Sequence, residues 1–132
     1  MVKAKAKTKF DGRKVMAAAK RANITNLGHA GAAIRLQARH SIKKAKGPSA
    51  PGTPPHTRKG RIRNAIKYAV VSGGQSVVIG PDYEVAADSG MAHEFGGRFR
   101  NENYDRRPFM GPALEKTKDR LPAFWAGSVK GD

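Results

Sequence analysis

The sequence of 132 residues contains no cysteine. Disulfide bonds and thiolate metal sites are therefore excluded, and this absence fits a reducing compartment such as the cytoplasm. No stretch approaches the ~18 consecutive apolar residues that a membrane-spanning helix requires. The cations at the N-terminus are not followed by the apolar segment of a secretion signal. We expect a soluble protein that is not secreted and does not contact a membrane.

Large apolar side chains are also scarce. Leu, Ile, Val and Phe together number 23, and the formal net charge is +16. The length suits a single domain. The low apolar content and high charge lie near the limit at which burial no longer offsets the conformational entropy of folding. We therefore expect neighbouring subunits to complete the burial, as in a ring.

Acidic residues are nearly absent from the first half of the chain. Residues 1 to 69 contain 18 Lys or Arg and a single acid, Asp11, whereas residues 70 to 132 contain 8 cations and 9 acids. This uneven charge indicates that the first half lies near a polyanionic surface, while the second half is neutral and packed.

Residues 1 to 10 carry lysine at alternate positions from Lys3 to Lys9. In an extended chain these four ammonium groups would project to one side. We interpret this segment as a basic flexible arm that aids solubility. The alternative is an arm that lies on nucleic acid or on an acidic partner.

Apolar or small residues recur every three or four positions from Asp11, a suitable N-cap, to Ile42. This spacing predicts a long amphipathic helix that Gly47 ends. Between Ile24 and Gly28, β-branched residues and glycine lower the helix propensity, so we expect a kink or a break there.

A proline-rich segment follows the predicted helix. Its prolines, at positions 48, 51, 54 and 55, fix φ and remove amide donors, so the segment can form neither a helix interior nor a central strand. It then runs into four closely spaced cations. We interpret residues 47 to 60 as a docking loop of a single domain that spans residues 11 to 132. A solvated connector is the alternative.

In the second half of the chain the spacing of apolar residues changes from every three or four positions to every second position. Alternating apolar residues from Ile62 to Val70, a turn at Gly73 and a return through Ser76 to Ile79 predict a β-hairpin. We expect a short helix or turn at residues 91 to 95, a mobile polar loop at 98 to 106 and a short strand at 107 to 110. A final helix is expected to start at Pro112 and to place Leu121 and then Phe124 or Trp125 on one face.

These elements predict an α+β fold. It consists of a long, kinked N-terminal helix, a small antiparallel β-sheet of three or four strands, and a C-terminal helix packed on the sheet.

Catalytic and metal-binding patterns have little support. The four histidines are isolated, and neither a metal-binding spacing nor a phosphate-binding glycine motif is present. His93 and Glu94 form the only adjacent acid-base pair, and adjacent residues on a helix point apart. We expect no enzyme activity, metal or cofactor. We expect Glu94 to form a helix-terminal or intersubunit salt bridge with an arginine such as Arg58 or Arg107, and Phe95 to anchor its segment in the core.

Four segments of the chain match one family in order and spacing. They are Pro51-Gly52-x-Pro54-Pro55-x-x-Arg58-Lys59-Gly60-Arg61-Ile62-Arg63-x-x-Ile66, Val78-Ile79-Gly80-Pro81, His93-Glu94-Phe95-Gly96-Gly97 and Arg107-Pro108-Phe109-Met110-x-Pro112-Ala113-Leu114. Over residues 15 to 126 the chain resembles the tail-completion (neck, or head-tail joining) proteins of long-tailed bacteriophages. It departs from that pattern at Lys59, where the family more often has Thr, and in its extended Lys-rich N-terminus.

The resemblance implies a structural protein of the virion neck that assembles in the host cytoplasm. Its copies would form a ring, a hexamer or alternatively a dodecamer, that completes the tail or joins it to the filled head. The partners would be head-side connector or adaptor proteins and the tail terminator or tail tube protein. Double-stranded DNA would pass through the ring and contact it without sequence specificity.

Two sets of surface residues follow as hypotheses. The residues expected to contact neighbours are Pro51, Pro54, Pro55, Arg58, Glu94, Phe95, Arg107 and Phe109. The residues expected to face DNA or an acidic partner are Lys43, Lys59, Arg61 and Arg63. The polar loop from Gly97 to Arg107 is also expected to contact neighbours.

A second class of function fits the same charge. The cations could neutralise many phosphates, although no base-reading motif is present. The alternative is therefore a small, basic, sequence-independent nucleic-acid-binding protein, ribosomal or chromatin-like.

Overall fold

The structure, a computed structural model, describes residues 11 to 127. The predicted basic arm lies outside the described residues. The elements are α1 (Gly12–Ser41), α2 (Arg61–Ala65), β1 (Ile66–Val71), β2 (Ser76–Pro81), α3 (Tyr83–Phe95), β3 (Gly97–Phe99), β4 (Glu102–Tyr104), α4 (Met110–Thr117) and a 3-10 helix at Leu121–Phe124. The predicted α+β fold class is confirmed.

Helix α1 begins where the sequence predicts, because the Asp11 carboxylate accepts a hydrogen bond from the Arg13 amide at 3.1 Å. It runs without interruption for 30 residues, so the kink or break expected between Ile24 and Gly28 does not divide it. This section is supported from outside the helix, since the Asn23 side-chain amide donates to the Gly74 carbonyl oxygen at 2.5 Å.

Helix α1 ends at Ser41 and not at Gly47 as predicted. The next residue, Ile42, is fully buried, and its amide donates to the Arg39 carbonyl oxygen at 3.2 Å. Beyond it the backbone turns away to pair with Thr57, so the lysines that follow leave the helix.

The predicted hairpin forms from β1 and β2, which pair antiparallel from Ile66 opposite Pro81 to Val71 opposite Ser76. Its turn contains Gly73 and Gly74, both with positive φ. The strand pattern was expected from Ile62, but residues 62 to 65 belong to α2, a short helix that follows Gly60 in the left-handed conformation.

The other strands differ from the prediction. Residues 98 to 106, expected as a mobile loop, contribute to a second antiparallel hairpin of β3 and β4, and the two hairpins are separate two-stranded sheets. Arg100 and Asn101 have positive φ and form its tight turn. The strand expected at 107 to 110 is absent. The Arg107 amide donates to a carbonyl oxygen of α3, and the Phe109 and Met110 amides donate to the Glu94 carboxylate. Helix α3 begins at Tyr83 and is therefore longer than the short helix or turn expected at residues 91 to 95.

The core lies between α1, α2, β1 and the start of α4. Its buried members are Ile34, Ala38, Ile42, Ile62, Ala65, Ile66, Ala86, Phe109 and Ala113. Helix α4 contacts principally α1, and α1 in turn contacts both strands of the first hairpin. The C-terminal helix is thus joined to the sheet largely through α1 and not by the direct packing predicted. It begins at Met110 and ends at Thr117, and Leu121 lies in the separate 3-10 helix.

Candidate functional site

The Glu94 carboxylate caps the N-terminus of α4. It accepts hydrogen bonds from the backbone amides of Phe109 at 2.8 Å, Met110 at 2.9 Å and Gly111 at 2.8 Å. These are the donors that a helix leaves unsatisfied at its start, and a negative charge is favourable there. Within the described part of the chain Glu94 forms no salt bridge with Arg58 or Arg107, and both of its carboxylate oxygens accept from backbone amides. A salt bridge from Glu94 to another copy stays a prediction.

The proline-rich segment reaches the same place. The Gly52 amide donates to the Arg106 carbonyl oxygen at 2.8 Å, and the Arg107 Nε donates to the Ser49 carbonyl oxygen at 2.8 Å. The Arg107 amide donates to the His93 carbonyl oxygen at 2.6 Å. We call the meeting of Ser49–Gly52, His93–Glu94 and Arg106–Gly111 the three-segment junction.

The residues predicted to contact neighbours differ in how far they are exposed to solvent. Pro51 and Arg58 are exposed and Pro54 is half-buried, whereas Pro55 is buried. The Arg107 side chain is only 12% exposed and lies 3.8 Å from the Asp105 carboxylate.

The two phenylalanines of this group are placed oppositely. Phe109 is 1% exposed and belongs to the core, so it and Pro55 are covered by the chain itself. Phe95, expected to anchor its segment in the core, is instead 72% exposed. It is the last residue of α3, and the core position nearby is filled by Phe109.

Exposed apolar side chains accompany Phe95. Met91, one helical turn earlier on α3, is 64% exposed, and Val78 on β2 is 59% exposed. Leu114 on α4 is 48% exposed. Met91 and Phe95 lie one turn apart on the same helix, and a contiguous exposed apolar patch is typical of a surface that is covered on assembly.

His93 is a packing residue. Its ring meets the Tyr104 ring edge-on, with the centroids 5.7 Å apart. Burial, and next to it the positive charge of Arg107, lower the pKa of His93 below its usual range. The neutral ring is therefore favoured. Among the side chains that the structure describes, no group of three or more His, Asp or Glu residues is placed to hold a metal ion.

A second feature joins two basic segments. Lys44 and Thr57 form a parallel β-bridge, in which the Thr57 amide donates to the Lys43 carbonyl oxygen at 2.9 Å and the Ala45 amide donates to the Thr57 carbonyl oxygen at 3.1 Å. The Arg58 Nε donates to the Lys46 carbonyl oxygen at 3.2 Å. The bridge therefore holds the chain after α1 beside the chain before α2.

The side chains around this bridge form what we call the cationic cluster. Its members are Lys43, Lys44, Lys46, Arg58, Lys59, Arg61 and Arg63, of which Arg63 is half-buried and the others are exposed. All four residues predicted to face DNA belong to it. Lys44 and Lys46 were missed, because only the non-local bridge to Thr57 brings them to the other cations.

Two other arginines are used within the fold. The Arg35 guanidinium lies 4.9 Å from the centre of the Tyr68 ring, and an Arg39 guanidinium nitrogen donates to the Ile66 carbonyl oxygen at 2.8 Å. These contacts tie α1 to the first hairpin, so not every cation of the predicted helix face is available to a partner.

Among residues 11 to 127, no helix has the length and hydropathy needed to cross a bilayer. Comparisons of the chain with protein-family models, with curated proteins and with solved structures returned no match.

Proposed function

We propose that this protein is a structural subunit of a long-tailed bacteriophage neck. Its copies form a ring that completes the tail or joins it to the DNA-filled head, and the ring has six or alternatively twelve copies. Its partners are the head-side connector or adaptor proteins and the tail terminator or tail tube protein. It assembles in the host cytoplasm, and its role is scaffolding and not catalysis.

The three-segment junction carries this proposal. Two of the four segments on which the family resemblance rests, at 93 to 97 and at 107 to 114, are joined by direct hydrogen bonds. The proline-rich segment reaches them through bonds that involve the flanking residues Ser49 and Arg106. Residues of these motifs therefore act together to hold one junction of the fold. Glu94 caps α4, Arg107 ties the proline-rich segment to α3, and Phe109 fills the core.

Surfaces near the junction support assembly with other copies. Met91 and Phe95 present exposed apolar area on α3. The first hairpin is covered by α1, whereas the second, of β3 and β4, contacts chiefly α3. A two-stranded hairpin with little cover is marginally stable by itself. A head-to-tail contact between copies closes into a ring when its rotation permits.

The mass of the purified protein in solution tests the ring. Native mass spectrometry or mass photometry is expected to show six or twelve copies, and Met91→Ser with Phe95→Ser is expected to reduce this to smaller species that remain folded. Leu36→Ser, which changes an exposed residue of α1, is the matched control. A monomer at every concentration, alone and with the connector and tail terminator of the same phage, would contradict the proposal.

A nucleic-acid-binding protein of the ribosomal or chromatin type remains the second candidate. It is favoured by the complete absence of Asp and Glu between residues 12 and 81. Such a protein would bind nucleic acid tightly as a monomer and would not recognise phage neck components. Measuring oligomeric state and nucleic-acid affinity on the same preparation separates the two candidates.

A further inference from the structure

We infer that the cationic cluster is a binding site for the phosphate backbone of duplex DNA. The bridge between Lys44 and Thr57 creates the site by holding two basic segments side by side. The inference does not depend on the ring, because the cluster lies within one chain.

The cations of the cluster are not neutralised by the fold. Among the side chains that the structure describes, the ion pairs are Lys67 with Asp82, Arg107 with Asp105, and Lys118 with Glu115, and none includes a member of the cluster. No acid occurs in sequence between residues 12 and 81. The bridge and the Arg58 contact place the lysines at 43, 44 and 46 beside Arg58. Like charges repel one another, so a polyanion is the partner that relieves the repulsion.

The backbone of the cluster is fixed by specific contacts. Gly60 has φ of +79°, and its amide donates to the Thr57 hydroxyl at 3.0 Å. This turn directs the chain into α2, where Arg61 and Arg63 lie. Because the two segments are joined by the bridge and this turn, the cations are already gathered before a ligand arrives, which lowers the entropic cost of binding.

The surroundings of the cluster favour nucleic acid over an acidic protein. The exposed large apolar residues of the described chain all lie outside residues 37 to 77. Protein interfaces need an apolar or aromatic centre, and this surface offers none.

The surroundings of the cluster also favour a nucleic-acid duplex over a single strand. Residues 43 to 63 contain no Phe, Tyr or Trp on which unpaired bases could stack. The single histidine of this range, His56, is half-buried, with Nδ1 3.0 Å from the Gly47 carbonyl oxygen. What remains is contact with the phosphates of duplex DNA, which is independent of base sequence.

Fluorescence anisotropy with a labelled duplex of mixed sequence tests the site. The full chain is titrated at salt concentrations from about 50 to about 200 mM, where each phosphate contact contributes about 0.9 to the slope of log K against log salt. Lys43→Gln, Lys44→Gln and Lys46→Gln together are expected to lower that slope by about 2 to 3 and to weaken binding at least tenfold.

A matched control removes the same charge elsewhere. Lys116→Gln, Lys118→Gln and Arg120→Gln change three exposed cations near the end of α4. This variant is expected to keep most of the affinity and slope. Equal losses in the two triple variants would overturn the inference, since only the overall charge would then matter. Tighter binding of a single strand than of the duplex, or equal competition by polyglutamate of the same charge, would also overturn it.

A second pair of variants tests the arrangement without changing any charge. Gly60→Ala places a side chain at the left-handed residue of the cluster, and Gly73→Ala does the same in the hairpin turn, where φ is +64°. The first is expected to weaken duplex binding several-fold and the second to leave it unchanged. If Gly60→Ala does not fold, Thr57→Val takes its place, because it removes only the hydroxyl that accepts from Gly60. Unchanged affinity in a folded variant would overturn the role of this turn in arranging the cations.

Failure of this inference is distinguishable from failure of the proposed function. A ring that does not bind duplex DNA through the cluster would remove the inference alone. A monomer whose duplex binding depends on the cluster would retain the inference and contradict the ring.

Discussion

The three-segment junction and the cationic cluster are both made by joining segments that are distant in sequence, but they use charge in opposite ways. At the junction the Glu94 carboxylate is directed at backbone amides, and the Arg107 guanidinium is largely covered. In the cluster the backbone forms the joint, while all the cationic side chains except the half-buried Arg63 are exposed. Charge at the junction holds the fold together, whereas charge in the cluster is left for a partner.

The largest expected effect is loss of the cap at the junction. Glu94→Ala leaves the amides of Phe109, Met110 and Gly111 without their acceptor, and we expect the free energy of unfolding to fall by about 2 kcal/mol or more. Denaturant unfolding followed by circular dichroism measures this. Glu115→Ala, at an exposed glutamate of α4, is the control. A loss no greater than that of the control would show that the junction does not stabilise the fold.

The contact of α1 with the first hairpin comes next. A Cβ atom at Gly31 would lie 2.8 Å from both the Tyr68 and Val77 side chains, whereas one at Gly28 would meet nothing within 4 Å. We expect Gly31→Ala to destabilise the fold by about 1 to 3 kcal/mol through overpacking. Gly28→Ala should stabilise it by about 0.5 to 1 kcal/mol through higher helix propensity. Equal melting temperatures for the two variants would disprove this close packing.

A smaller effect is expected from pH at His93. Because its pKa is lowered in the folded state, chiefly by burial and then by Arg107, the unfolded chain binds the proton more readily. As pH falls below the ordinary pKa of about 6.5, stability is therefore lost, and the loss levels off once the folded pKa is passed. His93→Gln should flatten the dependence of melting temperature on pH in this range. An unchanged pH profile in this variant would show that protonation of His93 does not cause the loss of stability.

The smallest effect on stability is expected in the cluster. Lys43→Gln, Lys44→Gln and Lys46→Gln together should change the free energy of unfolding by no more than about 0.5 kcal/mol, because these side chains are exposed and make no ion pair with a described acid. Chemical denaturation of the triple variant checks this. A large loss of stability would mean that the cluster, like the junction, serves the fold.

Local signals account for the parts of the fold that the sequence predicted. The Asp11 cap, the spacing of apolar residues along α1 and the glycines at 73 and 74 act within a few residues of chain. Helix α2 was missed because Ile62 and Ile66, four apart, also fit the alternation of a strand. The hairpin of β3 and β4 was missed because its residues are mostly polar.

The candidate site depended on contacts that no local pattern reveals. The sequence pointed to an arginine as the partner of Glu94, whereas backbone amides in α4 occupy that carboxylate. The bridge from Lys44 to Thr57 is parallel and spans a proline-rich loop, so neither spacing nor period predicts it. Phe95 and Phe109 look alike in sequence, and only the packing around α4 separates the exposed ring from the buried one.

Sedimentation velocity of the purified protein, alone and mixed with the connector and tail terminator proteins of its phage, tests the account most directly. It is expected to show a closed assembly of six or twelve copies that joins these partners into a larger particle. A single folded species of 14.2 kDa that neither self-associates nor binds them would contradict the account.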